Sequence, residues 1–206
     1  MKSGLLFGFF SLIIAGQATE CLASGTDNVG TLVFVRHGEK PASGLGQITC
    51  QGLNRALALP QRLAKFGTPD AIFAPNPTTK VSDPGGTYYY VRPLATIEPT
   101  AIRLGMPVNT HYGFTDIDSL ESRLLDGDFD NSLVFISWEH VKAENVVRNI
   151  LRDTNGSDAN VPTWKDNDYD SIYILSIATD ASGTKHGTFR LEAEGLNGLS
   201  QTCYQP

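Results

Sequence analysis

Basic residues are in the minority in this sequence, and repeats and long polar linkers are absent. Lys and Arg number 16 against 22 Asp and Glu in 206 residues, which gives a net charge of −6. A negative protein repels a phosphate polyanion, so general nucleic-acid binding is not expected. The apolar content of 41% is ordinary for a globular protein and excludes collagen-like, coiled-coil and wholly disordered chains. The length favours one domain, which we place at residues 24–206.

Long apolar runs are also missing, except near the N-terminus. The stretch 5–15 is apolar and follows a single lysine, Lys2, which is typical of a secretory signal peptide and too short for a membrane span. Small residues permit cleavage after Ala18 or after Ala23, and the second site is favoured because it leaves two cysteines. We therefore predict a signal peptide over 1–23, a secreted or periplasmic protein, and no stable membrane span after its removal.

Cysteine is scarce, and its number fits an exported protein. Removal of residues 1–23 leaves only Cys50 and Cys203. Export brings them to an oxidising compartment, where two cysteines can pair. We predict a disulfide between them, with two unrelated thiols as the alternative.

Strand and helix patterns alternate along the chain and predict an α/β fold, a three-layer α/β/α sandwich around a mostly parallel sheet. Strands are predicted at 31–35, 70–74, 133–137, 172–178 and 187–192, and helices at 49–66, 92–104, 116–125 and 139–152. The last two strands are expected to form a hairpin, and residues 75–87 a loop. In the first helix, Leu53, Leu57, Leu63 and Ala64 are expected on one side, and Pro60 is expected to kink or divide it.

Residues capable of binding an anion follow three of the predicted strands. Arg36 and His37 follow the first strand, Arg92 lies beyond the loop after the second, and Glu139 and His140 follow the strand at 133–137. Ligands of open α/β sheets gather at the carboxyl ends of the strands. Two histidines and two arginines could therefore surround one tetrahedral dianion, because a guanidinium gives paired, charge-assisted hydrogen bonds to phosphate oxygens.

The motifs around these residues resemble those of the histidine phosphatase superfamily, also called phosphoglycerate mutase-like, in its first branch. The matching motifs occur in the expected order over residues 31 to about 152: a strand followed by RHGE at 36–39, ITCQG at 48–52 with RA at 55–56, RPLAT at 92–96 with TA at 100–101, and a strand that leads to His140.

The resemblance implies a phosphoglycerate mutase-like fold, a small phosphorylated substrate, and neither a metal nor another cofactor. It implies that His37 is the nucleophile and that Arg36, Arg92 and His140 bind the phosphoryl group. Lys40 is a further candidate phosphate contact, with a solvated surface lysine as the alternative. A neutral imidazole can attack phosphorus while cations stabilise the charge on the equatorial oxygens, and the same cations disfavour the imidazolium.

The acid that protonates the leaving alcohol stays open at this stage. The Glu-rich pattern of the mutases is absent, and the other branch pairs its second histidine with a following Asp, whereas Val141 follows His140 here. Catalytic candidates are Glu98 and Asp116, together with Asp118, Glu121 and Glu139.

The predicted activity is that of an exported histidine acid phosphatase, a phosphoric monoester hydrolase that acts through phosphohistidine. One alternative is a non-catalytic protein of the same fold that binds phosphoryl ligands, and another is a phosphomutase. A third alternative is a metal-dependent hydrolase with His37, Glu39, Glu139 and His140 as ligands, although the helical HExxH spacing is missing.

Overall fold

The computed structural model describes residues 28–203 together with Met1. The predicted signal peptide lies outside these residues apart from Met1, so its presence stays a prediction. Within the described part of the chain, none of the helices has the length and apolar character needed to cross a bilayer.

A five-stranded sheet forms the middle layer. Its strands are β1 (Asn28–Arg36), β2 (Ala71–Phe73), β5 (Leu133–Trp138), β6 (Ser171–Thr179) and β7 (Lys185–Ala193), in the order β2-β5-β1-β6-β7. The pairs β2–β5 and β5–β1 are parallel, whereas β6 is antiparallel to both of its neighbours. Only β6 therefore runs against the other strands, and both the mostly parallel sheet and the final hairpin are confirmed.

Helices cover both faces of this sheet. They are α1 (Cys50–Leu63), α2 (Arg92–Leu104), α3 (Ile117–Leu124) and α4 (His140–Asp153). Alternate residues of β1 point to opposite faces: Leu32 and Phe34 pack in one apolar core with α3 and α4, and Val33 and Val35 pack in a second core with α1 and α2. Two cores on either side of one sheet confirm the three-layer α/β/α sandwich.

The segment predicted as a loop at 75–87 contains a second, two-stranded sheet. Strands β3 (Lys80–Asp83) and β4 (Gly86–Tyr89) pair antiparallel and form a hairpin apart from the central sheet. The loop prediction was wrong because these strands are short and polar, so no apolar run or alternation marks them.

Helix α1 buries a different face from the one predicted. It continues through Pro60 without division. Leu53 and Leu57 are exposed, at 37% and 51%, while Arg55, Leu59 and Leu63 are buried. The prediction for the two exposed leucines was wrong because a hydrophobic pattern gives no sign that an arginine occupies the centre of the buried face.

Arg55 is wholly buried and bound by carboxylates from three other parts of the chain. Its Nε and Nη2 donate to Glu39, at 3.1 and 2.8 Å, and its Nη1 donates to Glu194 at 2.6 Å and to Asp170 at 3.3 Å. Burial raises the pKa of Glu194 to about 8, although the charge of Arg55 acts in the opposite direction. Because Glu39 lies two residues after His37, this cluster fixes α1 against the end of β1.

Replacing Arg55 should destabilise the fold strongly. Arg55→Met leaves buried carboxylates without a counter-charge, and such a loss lowers the free energy of unfolding by about 3–5 kcal/mol. Arg62→Met removes an exposed arginine from the same helix and should cost less than about 1 kcal/mol. Urea denaturation followed by circular dichroism measures both, and equal effects of the two substitutions would contradict the structural role of Arg55.

The predicted disulfide between Cys50 and Cys203 is present. It joins the first residue of α1 to the C-terminal segment across 153 residues of sequence. Asn54, one turn further along α1, donates from Nδ2 to the carbonyls of Ser200 and Thr202, both at 2.9 Å. The C-terminal segment is therefore fixed to α1 by one covalent bond and two hydrogen bonds.

Loss of this disulfide should lower stability. In the loop-entropy model a closure of this length contributes about 5 kcal/mol, so the variant Cys50→Ser/Cys203→Ser should unfold at a lower urea concentration than the oxidised wild type. Adding a reductant to the wild type should reproduce the shift and leave the variant unchanged. Two freely alkylated thiols in the unreduced mature protein would refute the pairing.

Candidate active site

The two predicted site histidines lie at the same edge of the central sheet. Strands β1 and β5 are parallel neighbours in which Arg36 lies opposite Trp138. The backbone N–H of His37 continues the ladder by donating to the carbonyl of Trp138 at 3.1 Å. His37 and His140 therefore both follow the carboxyl ends of adjacent parallel strands.

His37 is held as a neutral imidazole with a defined tautomer. Its Nδ1 lies 2.8 Å from the carbonyl oxygen of Gly38. A carbonyl only accepts, so Nδ1 carries the proton and Nε2 keeps its lone pair. Burial lowers the pKa of His37 to about 3; the Gly38 hydrogen bond opposes this shift and the charges of Arg36 and Arg92 add to it. A neutral ring with a free Nε2 is the form that can act as a nucleophile.

Two glycines allow the turn after His37 to pack closely on α1 and α2. A Cβ on Gly38 would lie 2.9 Å from the Cα of Gly52, closer than real Cβ contacts allow. The N–H of Gly38 donates to Oγ1 of Thr96 at 2.8 Å, and this hydroxyl donates to the carbonyl of Arg92 at 2.9 Å. The turn is thus tied directly to the first turn of α2, which carries Arg92.

Arg36 is almost completely buried, and the polypeptide between α4 and β6 holds one end of it. Its Nη1 donates to the carbonyls of Lys165, Asp166 and Asp168 at 2.8–3.0 Å. The guanidinium carbon lies 4.0 Å from the ring centroid of Tyr169. The buried Nε of Arg36 has no hydrogen-bond partner within the described residues.

Arg92 is also buried and is held by an acidic residue of the β3–β4 hairpin. Its Nη1 and Nη2 donate to the carboxylate of Asp83 at 2.7 and 3.2 Å, and both side chains are less than 5% exposed. Asp83 also accepts from the N–H of Gly46 at 2.9 Å. Burial acts to raise the pKa of Asp83, but the hydrogen bonds from Arg92 and Gly46 lower it below its ordinary value. Asp83 is therefore an ionised anchor for Arg92.

The two arginines share one arrangement. Arg36 is fixed through Nη1 and Arg92 through Nη1 and Nη2, and each keeps a buried Nε that no group within the described part of the chain accepts from. A buried N–H without an acceptor is unfavourable. Each Nε–H therefore keeps an unused, charged donor of the kind that binds phosphate oxygens.

His140 opens α4 and lies between two carboxylates. Its Nδ1 is 2.6 Å from Oε1 of Glu139, and its Nε2 is 2.8 Å from Oδ1 of Asp166. Glu139 caps the helix by accepting from the N–H groups of Val141 and Lys142. Burial alone would raise the pKa of Glu139, but His140 and the two N–H groups lower it to about 2. Glu139 therefore stays ionised and orients His140.

The structure brings Arg36, His37, Arg92 and His140 to one edge of the sheet. Arg36 and His140 both contact Asp166. Arg92 lies 4.8 Å from the ring of Tyr90, whose centroid is 6.2 Å from that of His37. The exposed Lys40 is on the rim of an adjoining cleft of about 570 Å³, which Tyr169, Gln51 and Gln201 also line.

Of the predicted acids, Glu139 contacts His140, and the other four are spread around the site. Glu98 is exposed, whereas Arg92 and Thr96 on the same helix are buried. Asp116 is exposed at the start of α3, two residues after Phe114, whose ring lies 5.0 Å from Tyr90.

The two remaining candidate acids, both on α3, have side chains that face different surroundings. Asp118 is exposed in the first turn of the helix. Glu121 lies beside Asn149 and Asp153 of α4, and burial together with the nearby Asp153 carboxylate raises its pKa. Neither contacts the residues around His37 in the described structure.

The two carboxylates of the metal-centre alternative are engaged with other groups. Glu39 binds Arg55, and Glu139 caps α4. No group of three or more His, Cys, Asp or Glu residues within 28–203 is arranged to hold a metal ion. The placement of His37 and His140 therefore fits an anion site better than a set of ligands to one metal ion.

Three residues of the site carry no signal in the sequence. Asp83, Asp166 and Tyr169 lie in polar stretches without a motif, and each reaches the site only through the fold. The excess of acidic over basic residues was visible, but nothing in the order of residues shows which acids pair with Arg92 and His140.

Comparison with known proteins identifies the fold. No protein-family model and no curated protein sequence matches the chain. Among solved structures, a putative phosphohistidine phosphatase, SixA, from Nakamurella multipartitia aligns with a TM-score of 0.52 and 15% identity, covering 80% of this chain and 95% of that one. A mycobacterial glucosyl-3-phosphoglycerate phosphatase in complex with inorganic phosphate gives a TM-score of 0.54 and 15% identity, covering 79% and 95%.

A phosphoglycerate mutase from Plasmodium falciparum aligns with a TM-score of 0.50 and 11% identity, covering 87% of this chain and 96% of that one. At these identities the alignments establish the fold. They agree with the resemblance of the motifs that begin with RHGE at 36–39. The chain therefore has a phosphoglycerate mutase-like fold.

Proposed function

We propose that the protein is a phosphomonoesterase that transfers the phosphoryl group of a small substrate to His37 and then to water. The observation that carries this proposal is the buried, neutral imidazole of His37, whose Nε2 is unprotonated, close to two buried guanidinium groups. Two solved proteins of this fold are named as phosphatases, one of phosphohistidine and one of glucosyl-3-phosphoglycerate, which supports the same class of reaction here.

In the first step, Nε2 of His37 attacks phosphorus and the bond between phosphorus and the leaving oxygen breaks. The electron pair goes to that oxygen, which takes up a proton. The imidazole gains positive charge, and the Nδ1–H bond to the Gly38 carbonyl stabilises it. In the second step water attacks phosphorus, the P–N bond returns its electron pair to Nε2, and phosphate leaves.

The cations act on the transferring group. In this proposal the Nε–H groups of Arg36 and Arg92 and Nε2 of His140 bind the equatorial oxygens, where charge spreads in the transition state. Because loop carbonyls and Asp83 already fix the arginines, little reorganisation is needed when the substrate binds. Lys40, on the rim, is a candidate contact for the part of the substrate beyond the phosphoryl group.

We further propose that the enzyme acts outside the cytoplasm. The Cys50–Cys203 disulfide supports an oxidising compartment, and the apolar stretch 5–15 supports export. A small phosphorylated molecule or a phosphorylated surface component would then be the substrate.

A covalent intermediate on His37 is the first expected result. Rapid acid-free quenching with a labelled aryl phosphate should leave acid-labile phosphate on the peptide that contains His37. His37→Ala should carry no label and lose activity on the order of 10³-fold or more, as expected for a nucleophile. The control is His111→Ala, which alters an exposed histidine and should keep both label and activity. Equal labelling of His37→Ala would contradict the assignment, and tight phosphate binding without turnover would favour a binding protein.

The pH dependence should show an acid limb far below that of an ordinary histidine. His37 becomes protonated only as the pH falls toward about 3, so activity that depends on its neutral form should persist through pH 4–6. The measurement is kcat/KM for p-nitrophenyl phosphate, corrected for the ionisation of the substrate itself. A limb near pH 6.5, the ordinary value for histidine, would show that His37 is not held neutral by its surroundings.

A further inference from the structure

A phosphomonoesterase must give a proton to the leaving alcohol, and none of the acids predicted from the sequence contacts the oxyanion site in a form suited to that task. We propose that Asp166 is the general acid, a role that rests on the function proposed above. Its Oδ1 lies 2.8 Å from Nε2 of His140, and its carbonyl accepts from Nη1 of Arg36 at 2.8 Å. One residue thus contacts two of the groups that would bind the phosphoryl oxygens.

The backbone of Asp166 is fixed while its side chain is free to move. Arg36 binds the carbonyls on both sides of it, those of Lys165 and Asp168. The carboxylate of Asp168 accepts from the N–H groups of Asp170 and Ser171 at 3.0 Å. The Asp166 side chain itself is 95% exposed, so rotation to a leaving oxygen would break its hydrogen bond to His140 but would not require a buried side chain to move.

Other acids near the site are occupied. Glu139 is bound by His140 and two backbone N–H groups, which hold its pKa near 2, so it has no proton to give at the working pH. Glu39 is bound to Arg55, and Glu121 is turned toward α4. Asp116 is the remaining competitor, because it lies two residues after Phe114, whose ring packs against Tyr90.

Substrate binding itself would prepare Asp166 for the task. A phosphoryl oxygen that accepts from Nε2 of His140 takes the place that Oδ1 of Asp166 holds in the free protein. The displaced carboxyl group then lies beside a dianion, and a nearby negative charge favours the protonated form of a carboxyl group. The protonated carboxyl is the species that a general acid requires.

The reaction balances with this assignment. As Nε2 of His37 bonds to phosphorus, the P–O bond breaks and its electron pair accepts the proton of the Asp166 carboxyl group, which gives the free alcohol, phosphohistidine and the Asp166 carboxylate. In the second step the carboxylate takes a proton from the attacking water, the P–N bond breaks toward Nε2, and phosphate is released with Asp166 protonated again.

The test compares leaving groups, because an alkoxide needs a proton and p-nitrophenolate does not. Asp166→Asn keeps the shape of the side chain and removes its transferable proton. We expect its kcat/KM for glycerol phosphate to fall about 10²–10⁴-fold, the usual contribution of general acid catalysis, while its kcat/KM for p-nitrophenyl phosphate changes only a few-fold. The basic limb of the pH profile with glycerol phosphate should also disappear.

Two matched variants serve as controls. Asn167→Ala changes the neighbouring exposed residue and should leave the ratio of the two kcat/KM values unchanged. Asp116→Asn should do the same if Asp166 is the donor. Equal losses on both substrates in Asp166→Asn, no loss on either, or a selective loss in Asp116→Asn would each overturn the proposal. A wild type that hydrolyses neither substrate and takes no label on His37 would instead refute the proposed function.

Discussion

The site depends on one constraint, which is that two guanidinium groups are buried beside an imidazole that must stay neutral. A guanidinium does not lose its proton, so its burial requires acceptors. The loop carbonyls around Asp166 supply them for Arg36, and Asp83 supplies them for Arg92. The imidazole of His37 receives only a carbonyl at Nδ1, so burial and the neighbouring charges drive its Nε2 to the unprotonated state. The same positive field that we propose to bind an oxyanion therefore also favours the neutral imidazole of His37.

The fold produces this arrangement because the ends of β1 and β5 and the starts of α1 and α2 lie together at one edge of the sheet. Parallel pairing of β1 with β5 places His37 and His140 side by side after their strands. The contact of Gly38 with Gly52 and the hydrogen bonds through Thr96 bring α1 and α2 against the same turn. Residues that are distant in sequence are thus held by backbone geometry, and their side chains need little freedom to reach an anion.

Much of the architecture and the core of the site could be predicted from the sequence, for identifiable reasons. Helix α2 was predicted at its observed bounds because apolar spacing and a proline near its start mark it. Arg36, His37 and His140 lie at the ends of β1 and β5, where a parallel sheet gathers ligands. The buried face of α1 was missed because Arg55 is stabilised by carboxylates distant in sequence. Asp83 and Asp166 were missed for the same reason, since charge pairing between distant segments leaves no periodic pattern.

The most direct test of the account is the protonation state of His37 itself. Nitrogen-15 NMR of the histidine side chains, with His37→Ala for assignment, reports which ring nitrogen carries the proton at each pH. The account predicts a neutral ring protonated at Nδ1, unchanged from pH 7 down to about pH 4. Titration of His37 near pH 6.5, or a proton on Nε2 in the neutral form, would contradict the claim that the fold holds this nitrogen ready to attack phosphorus.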